Sequence, residues 1–438
     1  MIVFYKGNPE RWRVAVWAFL FEQLKGESIM LVFLSDIHLT DGSSGETIKP
    51  TAFKIFSDNL QQLIESVKAT KPLKELKIVL LGDIFDIIRS TRWLGAGVRP
   101  WSPAGSRQKT VVLDILNDIQ KRNQESLNYF NTLRDYAARK NLPFEIRYVL
   151  GNHDWLINRY PETRDLVADW LGMNLKGEKL PLELFSEDYK VLARHGDCYD
   201  EFNYMGDRDA SSIGDAIVVE LLNRFPGEVE KKLEGRHPEV VRMLKELDNI
   251  RPLLDAPSWV LMVMNRAQDA DVRKIIEKTW TKCVDGFFQV SFIKKMDIPF
   301  WPDTVDKLEI ALQLTSHLSK AALEKISELR NLFMVEADEY GKRAFAEPAM
   351  RAGSVSFVLY GHTHDHRIVP LDQVPLSQEK VLNKIYFNTG TWRKTWNKAT
   401  FDTIHREFIG WHVLTYIGIY REDENDGYDF EIWNGALG

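Results

Sequence analysis

The chain has 438 residues, enough for more than one domain, and its 44% hydrophobic and 27% charged residues are ordinary for a globular protein. Its formal net charge of -6 argues against non-specific nucleic-acid binding, which needs a basic surface. No apolar stretch reaches the roughly 20 residues that span a bilayer. Two cysteines, Cys198 and Cys283, are too few for a disulfide framework, so we expect a cytoplasmic location.

Residues 1–29 form an N-terminal extension ahead of the first predicted strand. The run from Arg11 to Phe21 is apolar and aromatic, and no small-x-small cleavage pattern follows it, so it makes a poor signal peptide. One interpretation is an amphipathic segment in peripheral contact with a membrane. The other is that Met30 is the natural start, because the first strand opens there.

Five short apolar runs predict buried strands, and each run ends in side chains that bind metals. The runs and the polar residues that follow them are 31–34 with Asp36 and His38, 78–81 with Asp83 and Asp86, 148–150 with Asn152 and His153, 191–194 with His195, and 357–360 with His362 and His364. In open α/β sheets, ligands collect beyond the carboxyl ends of the strands. The pattern therefore predicts a metal site at a common rim.

Along the chain, predicted helices first alternate with predicted strands and then follow one another without strands between them. The predicted helices cover 51–69, about 110–139, 161–172, 212–224, 227–248, 259–279 and 307–332, and further strands are predicted at 383–388, 410–420 and 428–433. The alternation predicts an α/β core built from residues 30–204 and 351–438. Residues 205–350 are predicted to be a helical insertion, or cap, that determines the substrate.

The residue types favour a pair of transition-metal ions. Side chains at i and i+2 of an extended segment project to the same side, as the Asp-x-His and His-x-His pairs require. Asp83 has two oxygens with which to bridge two ions. The ligands then divide into two sets that share Asp83, one of Asp36, His38, Asp83 and His364 and the other of Asp83, Asn152, His195 and His362. Mixed nitrogen and oxygen ligands without thiolate suit Mn, Fe or Zn better than Ca or Mg.

Two divalent ions roughly 3.5–4 Å apart would activate a bridging water, and the resulting hydroxide would attack phosphorus in line. His153 follows a predicted ligand without being needed as one, so it is the candidate general acid for the leaving group. Asp86 or Asp154 could bind its other ring nitrogen and favour the charged imidazole. The predicted reaction is hydrolysis of a phosphoester.

The motifs Asp-x-His, Gly-Asp-x-x-Asp, Gly-Asn-His-Asp, His-Gly-Asp and Gly-His-Thr-His occur in that order between Asp36 and His364. This pattern resembles the calcineurin-like metallophosphoesterase superfamily. The resemblance implies a four-layer α/β/β/α sandwich and a binuclear metal centre with the ligands given above. It also implies that His153 acts on the leaving group and that Asp86 supports this histidine.

The motifs also bear on the substrate. Residues 82–88 and 151–154 lack the Asp-Arg-Gly and the Glu that protein phosphatases of this superfamily usually carry, which argues against that class. The chain is similar to UDP-2,3-diacylglucosamine hydrolases around Asp36, Asp83, His195 and His362. Those enzymes are shorter and carry arginine at the position of His153.

Several functions therefore stay open at this point. They are a phosphomonoesterase or phosphodiesterase, a pyrophosphatase acting on a nucleotide-linked or lipid-linked substrate, a nuclease or cyclic-nucleotide phosphodiesterase, and a non-catalytic scaffold. The negative net charge disfavours the nuclease. The scaffold is disfavoured because every predicted ligand is present.

Overall fold

The computed structural model of the chain describes residues 28–70, 73–297, 337–375, 381–399, 407–421, 424–425 and 427–437, together with residues 304, 305, 308, 309 and 312. The predicted N-terminal extension lies outside these residues up to residue 27, as does nearly all of the predicted helix 307–332. Membrane contact by the extension, the start at Met30 and that helix therefore stay predictions.

Eleven strands of the described residues form two sheets. They are β1 (Ser28–Leu34), β2 (Leu73–Leu81), β3 (Phe144–Val149), β4 (Glu183–Ser186), β5 (Val191–Arg194), β6 (Phe357–Tyr360), β7 (Arg367–Pro375), β8 (Val381–Asn388), β9 (Thr395–Lys398), β10 (Phe408–Ile419) and β11 (Phe430–Leu437). The first sheet has the order β11-β10-β1-β2-β3, with β9 paired to β10, and the second has the order β4-β5-β6-β8-β7. Because β1, β2 and β3 are parallel, as are β5, β6 and β8, each sheet brings three carboxyl ends to one edge.

Helices of the described residues lie between β1 and β6 along the chain. They are α1 (Pro50–Thr70), α2 (Arg92–Gly95), α3 (Ser106–Arg122), α4 (Gln124–Arg139), α5 (Pro161–Leu171), α6 (Ile213–Ile217), α7 (Arg224–Leu233), α8 (Pro238–Leu244), α9 (Ala256–Arg266), α10 (Ala270–Phe288), α11 (Ser291–Met296), α12 (Ala337–Ala346) and α13 (Pro348–Arg351). A π-helical turn, Val218–Asn223, joins α6 to α7. No helix of the described residues is long and apolar enough to cross a membrane.

Alternation along the strands divides their side chains between separate cores. Within β1, Phe33 packs between the two sheets, whereas Val32 belongs to the core that α1 covers. Within β6, Leu359 packs between the sheets, and Val358 belongs to the core that α12 covers. Helix, sheet, sheet and helix therefore stack in that order, which confirms the predicted four-layer α/β/β/α sandwich.

The helix predicted over 110–139 is interrupted in the structure. It consists of α3 and α4, which meet at Asn123. The side-chain Nδ2 of Asn123 donates to Ile119 O at 2.7 Å and to Thr40 O at 2.9 Å. The side chain competes with the backbone for a helical carbonyl and ties the break to the segment after β1, so the single long helix was wrong.

Two helices predicted after residue 205 are also interrupted. The segment 227–248 breaks after α7, where Glu234 and Gly235 adopt positive φ angles of 52° and 80°, a conformation that ends helices. The segment 259–279 breaks between α9 and α10, where Asp269 caps α10 by accepting from the Asp271 N–H. Periodicity alone did not reveal these caps. The boundaries predicted for the insertion stay a prediction.

Strands β4, β7 and β9 were missed. β4 and β7 are the edge strands of the second sheet, and β9 pairs only with β10 among the described strands. Residues of β7 are exposed or partly exposed throughout, and the strand contains Pro370, which edge strands tolerate. Their sequences therefore lack the apolar runs that mark the buried strands.

Candidate metal centre and active site

The predicted ligands follow the carboxyl ends of five strands. Asp36 and His38 follow β1, Asp83 follows β2, Asn152 follows β3, His195 follows β5, and His362 and His364 follow β6. Five of them hold left-handed backbone, with φ of 50° at Asp36, 52° at His38, 55° at Asp83, 67° at His362 and 62° at His364. Residues other than glycine rarely adopt this conformation, and such strain clusters at functional sites where the surroundings fix it.

Glycines allow these strand ends to approach closely. A Cβ atom at Gly82, where φ is +83°, would overlap the His195 ring and lie 2.9 Å from Gly151 Cα. A Cβ atom at Gly151 would overlap the Asp83 carboxylate and lie 2.6 Å from the Asp83 backbone nitrogen. Both motifs therefore need their glycines for space, and Gly82 is also needed for its positive φ.

Asp36 lies beside the two histidines of the first predicted ligand set. Asp36 Oδ2 accepts hydrogen bonds from Ser35 Oγ and from the His362 backbone N–H, the latter at 3.0 Å. Asp36 Oδ1 has no hydrogen bond from the part of the chain that the structure describes. It lies 3.3 Å from His364 Nε2 and 3.7 Å from His38 Nε2. These two ring nitrogens are 3.0 Å apart, so three donor atoms face one another.

Asp83 lies between the two ligand sets. Its Oδ1 accepts from the His153 backbone N–H at 2.8 Å. Its Oδ2 is buried and has no hydrogen bond within the described segments. That oxygen lies 3.2 Å from His195 Nε2 and 3.8 Å from His38 Nε2. One oxygen therefore faces a histidine from each set.

Asn152 joins the two histidines of the second set. Its Oδ1 lies 3.1 Å from His195 Nε2 and 3.1 Å from His362 Nδ1. The other ring nitrogen of each histidine has an acceptor of its own, Leu81 O for His195 and Asp200 Oδ2 for His362, both at 2.9 Å. Such acceptors fix the tautomer and leave the inward nitrogen available to a metal.

The donor atoms fit divalent metal ions. Ligand atoms bound to one ion at about 2.1 Å are roughly 3 Å apart, and the separations given above run from 3.0 to 3.8 Å. A metal would also satisfy Asp36 Oδ1 and Asp83 Oδ2, whose lack of partners is otherwise unfavourable for buried carboxylates. Among the described residues, three triads have metal-binding atoms within 4.8 Å of one another: Asp36, His38 and His364; His38, Asp83 and His153; and Asp36, Asp83 and His195.

His153 is held by Asp86 and not by Asp154. Its Nδ1 lies 2.7 Å from Asp86 Oδ1, and its side chain is 14% exposed. The Asp154 carboxylate instead accepts from two backbone N–H groups and from the Tyr148 hydroxyl. The second oxygen of Asp86 lies 3.0 Å from His38 Nδ1. One carboxylate therefore contacts both a predicted ligand and the predicted general acid.

The charges around the cluster shift the pKa values of two of its histidines in opposite directions. Burial opposes the charge on His153, but Asp86 and Asp83 raise the pKa of this histidine to about 10. Burial and the adjacent charge of Arg251 hold the pKa of His364 well below its usual range. Burial alone would raise the pKa of Asp36, but the neighbouring histidines, chiefly His195, hold it well below its usual range.

Two charged residues at the site were missed by the sequence patterns. Asp200 accepts from His362 and also from Asn203 Nδ2 at 2.8 Å. Arg251 places Nη2 2.7 Å from His364 Nδ1. Asp200 follows the His-Gly-Asp motif by three residues, which is a weak positional signal. Arg251 lies in the predicted insertion, where no local pattern marks it.

The cluster borders a cavity of about 820 Å³. The polar residues that line it include Asp83, Asn152, His153, Arg251, His362 and His364. The apolar residues that line it include Ile217, Val218, Leu221, Leu222, Leu254 and Trp280. The cavity therefore combines candidate metal ligands with an apolar surface.

The family of the chain follows from a comparison with known proteins. The family model for calcineurin-like phosphoesterases matches residues 29–260, more than half of the chain, and the chain belongs to this family. No curated protein and no solved structure matches the chain. Family and ligand cluster together make the chain a metal-dependent phosphoesterase. The match ends before His362 and His364, which the fold brings to the other ligands.

Proposed function

We propose that the chain is a binuclear metal-dependent phosphoesterase. The observation that carries this proposal is the position of Asp83, whose Oδ2 lies within 3.8 Å of a histidine from each ligand set. One ion would be held by Asp36, His38, Asp83 and His364, and the other by Asp83, Asn152, His195 and His362. Mn, Fe and Zn are the metals that suit these ligands.

When bound, such ions would supply Lewis acidity, which would activate a water as the nucleophile and neutralise charge on the phosphoryl oxygens. The chain prepares the site by fixing its carboxylates. The His362 backbone N–H fixes Asp36, and the His153 backbone N–H fixes Asp83, at 3.0 and 2.8 Å. Each carboxylate thereby keeps one oxygen for metal.

His153 is the residue that we assign to the leaving group, with Asp86 as its support. Asp86 takes Nδ1, so Nε2 is the nitrogen that remains to donate a proton to the departing oxygen. His153 also lines the cavity, where a substrate has access to it. The charge of Asp86 stabilises the imidazolium before transfer.

The test compares wild type with His153→Gln in the metal-loaded full chain. An activated substrate, p-nitrophenyl phosphate, needs little protonation of its leaving group, whereas an alkyl phosphate needs it fully. We expect kcat on the alkyl phosphate to fall by about 10²–10⁴-fold and kcat on the activated substrate to fall far less. His237→Gln, a histidine 34% exposed in the helical segment, is the matched control.

The metal content of the variant decides how a loss of its activity is interpreted. Elemental analysis should find unchanged metal in His153→Gln, because the variant keeps every proposed ligand. Equal losses on both substrates would contradict the acid role of His153. Wild type that hydrolyses neither monoester nor the corresponding diester after Mn, Fe or Zn addition would contradict the phosphoesterase proposal and favour the scaffold.

The apolar cavity wall favours a second candidate, a pyrophosphatase acting on a lipid-linked or nucleotide-linked substrate. The wall residues come from 213–223, from 253–255 and from α10, which all lie in the proposed cap. Each buried methylene contributes about 0.8 kcal/mol, so octyl phosphate should have a KM at least roughly 10-fold below that of ethyl phosphate. Equal KM values would contradict an apolar subsite and leave an ordinary phosphomonoesterase or phosphodiesterase.

A further inference from the structure

Arg251 carries a positive charge from the helical segment to the edge of the ligand cluster. It follows the 3-10 turn Leu247–Asn249 and lines the cavity together with His153 and His362. Its Nη2 lies 2.7 Å from His364 Nδ1. The guanidinium therefore borders the space in which the phosphoryl group of a substrate would meet the proposed ions.

The backbone of Arg251 is fixed on strand β9. Its N–H donates to Trp396 O at 2.9 Å, and Ile250 forms a parallel bridge with Trp396. Its Nη1 donates to two backbone carbonyls, Asp248 O at 2.7 Å and Ile250 O at 2.9 Å. One edge of the guanidinium is thus held by backbone, and the other edge is turned to the ligand cluster.

Arg251 makes no ion pair with any carboxylate of the described residues. The neighbouring Asp248 carboxylate is occupied by Arg393 Nη2 at 2.6 Å and Arg89 Nε at 3.4 Å. The Arg251 side chain is only partly exposed, so its charge is partly removed from water. A charge taken from water without an anionic partner is unfavourable. An anion bound in the cavity would supply that partner.

We propose that Arg251 is a substrate-binding residue that donates hydrogen bonds to the non-bridging oxygens of the phosphoryl group. This inference rests on the proposed function, because that function defines where the phosphoryl group binds. Guanidinium suits the task, since its planar fork of N–H donors matches two oxygens of one phosphate. The cap would thereby supply a phosphate ligand as well as an apolar wall.

The alternative is that Arg251 only orients His364, and three measurements separate the two roles. Wild type, Arg251→Gln and Arg251→Lys are compared by elemental analysis, by calorimetric titration with inorganic phosphate, and by kinetics on p-nitrophenyl phosphate, all in the metal-loaded full chain. Arg273→Gln is the matched control. Arg273 also donates through Nη1 to two backbone carbonyls, but it is not among the residues that line the cavity.

Arg251→Gln should weaken phosphate binding by roughly 10- to 150-fold, the range of one charge-assisted hydrogen bond, and lower kcat/KM similarly with metal content unchanged. Arg251→Lys, which keeps the charge without the fork, should lie between Gln and wild type. Unchanged phosphate affinity would overturn the proposal. A phosphate affinity that excess metal restores would also overturn it, because Arg251 would then act through His364.

Failure of the proposed function has a different signature. Wild type that binds metal and inorganic phosphate but hydrolyses no phosphoester would refute the function, and the phosphate titrations would still decide the role of Arg251. Thermal denaturation, compared with wild type, shows whether the Arg251→Gln variant is folded. If that variant unfolds, the Arg251→Lys titration decides alone, and phosphate affinity equal to wild type overturns the bidentate contact.

Discussion

Asp86→Asn is the substitution that most sharply probes the coupling between His38, a proposed metal ligand, and His153, the proposed general acid. Asp86 Oδ1 accepts from His153 Nδ1 at 2.7 Å and from the Arg89 backbone N–H at 3.2 Å. Asp86 Oδ2 accepts from His38 Nδ1 at 3.0 Å and lies 3.8 Å from Arg393 Nη1. The amide of asparagine has one acceptor oxygen, so it cannot serve both sides.

The hydrogen-bond donors around Asp86 predict which of the two histidines loses its acceptor. The amide oxygen should stay where Oδ1 was, because two N–H donors converge there. The amide NH₂ then faces the N–H of His38 and the guanidinium of Arg393, so the support of His38 is lost. A hydrogen bond to a charged group contributes about 1.5–3 kcal/mol, which corresponds to roughly 10- to 150-fold in metal affinity.

The assay is a metal titration of the metal-free protein by calorimetry, with kcat measured at saturating metal. Asp118→Asn, which removes an exposed carboxylate paired with Arg92, is the control and should leave the metal affinity within about 2-fold, as expected of a surface pair. Metal affinity of Asp86→Asn equal to that of wild type would refute the reasoning. Such a result would mean that His38 does not bind metal through Nε2.

Three further substitutions test the ligand cluster and the core. Asp83→Asn should bring bound metal to about one equivalent or fewer and abolish hydrolysis, because one oxygen faces both sets; elemental analysis that still finds two equivalents would contradict the sharing. Gly361→Ala should destabilise the fold by about 1–3 kcal/mol and weaken metal binding, because its Cβ would overlap Asp36 Oδ2. Urea unfolding and metal titration measure the two effects, and a variant with unchanged stability and metal affinity would contradict the close approach of Gly361 to Asp36. Trp392→Ala, which empties a fully buried site, should cost about 3–5 kcal/mol in urea unfolding, whereas Phe345→Ala, 42% exposed, should cost under about 0.5 kcal/mol.

The parallel strands could be predicted because buried strands appear in the sequence as continuous apolar runs. The runs before Asp36 and Asp83 are buried on both faces, so each reads as an uninterrupted apolar stretch. Parallel pairing then brings the residues after each run to one edge. Edge strands such as β7 carry no such run, since only part of their surface is covered.

Long-range contacts explain what the sequence could not predict. Asn123 divides a helix because it bonds to Thr40, a residue 83 positions away. Arg251 reaches His364 across 113 positions, and its location follows from pairing with Trp396. Neither contact corresponds to a periodic pattern in the sequence. Motif spacing therefore predicted that the strand ends bring these side chains together, and the tertiary fold decided which further charges surround them.

Elemental analysis of the purified full chain, combined with a phosphoester hydrolysis assay, tests the central claim most directly. Our account predicts about two transition-metal equivalents per chain and hydrolysis that chelation abolishes and Mn, Fe or Zn restores. A folded protein that stays metal-free and inactive after addition of each metal would contradict it.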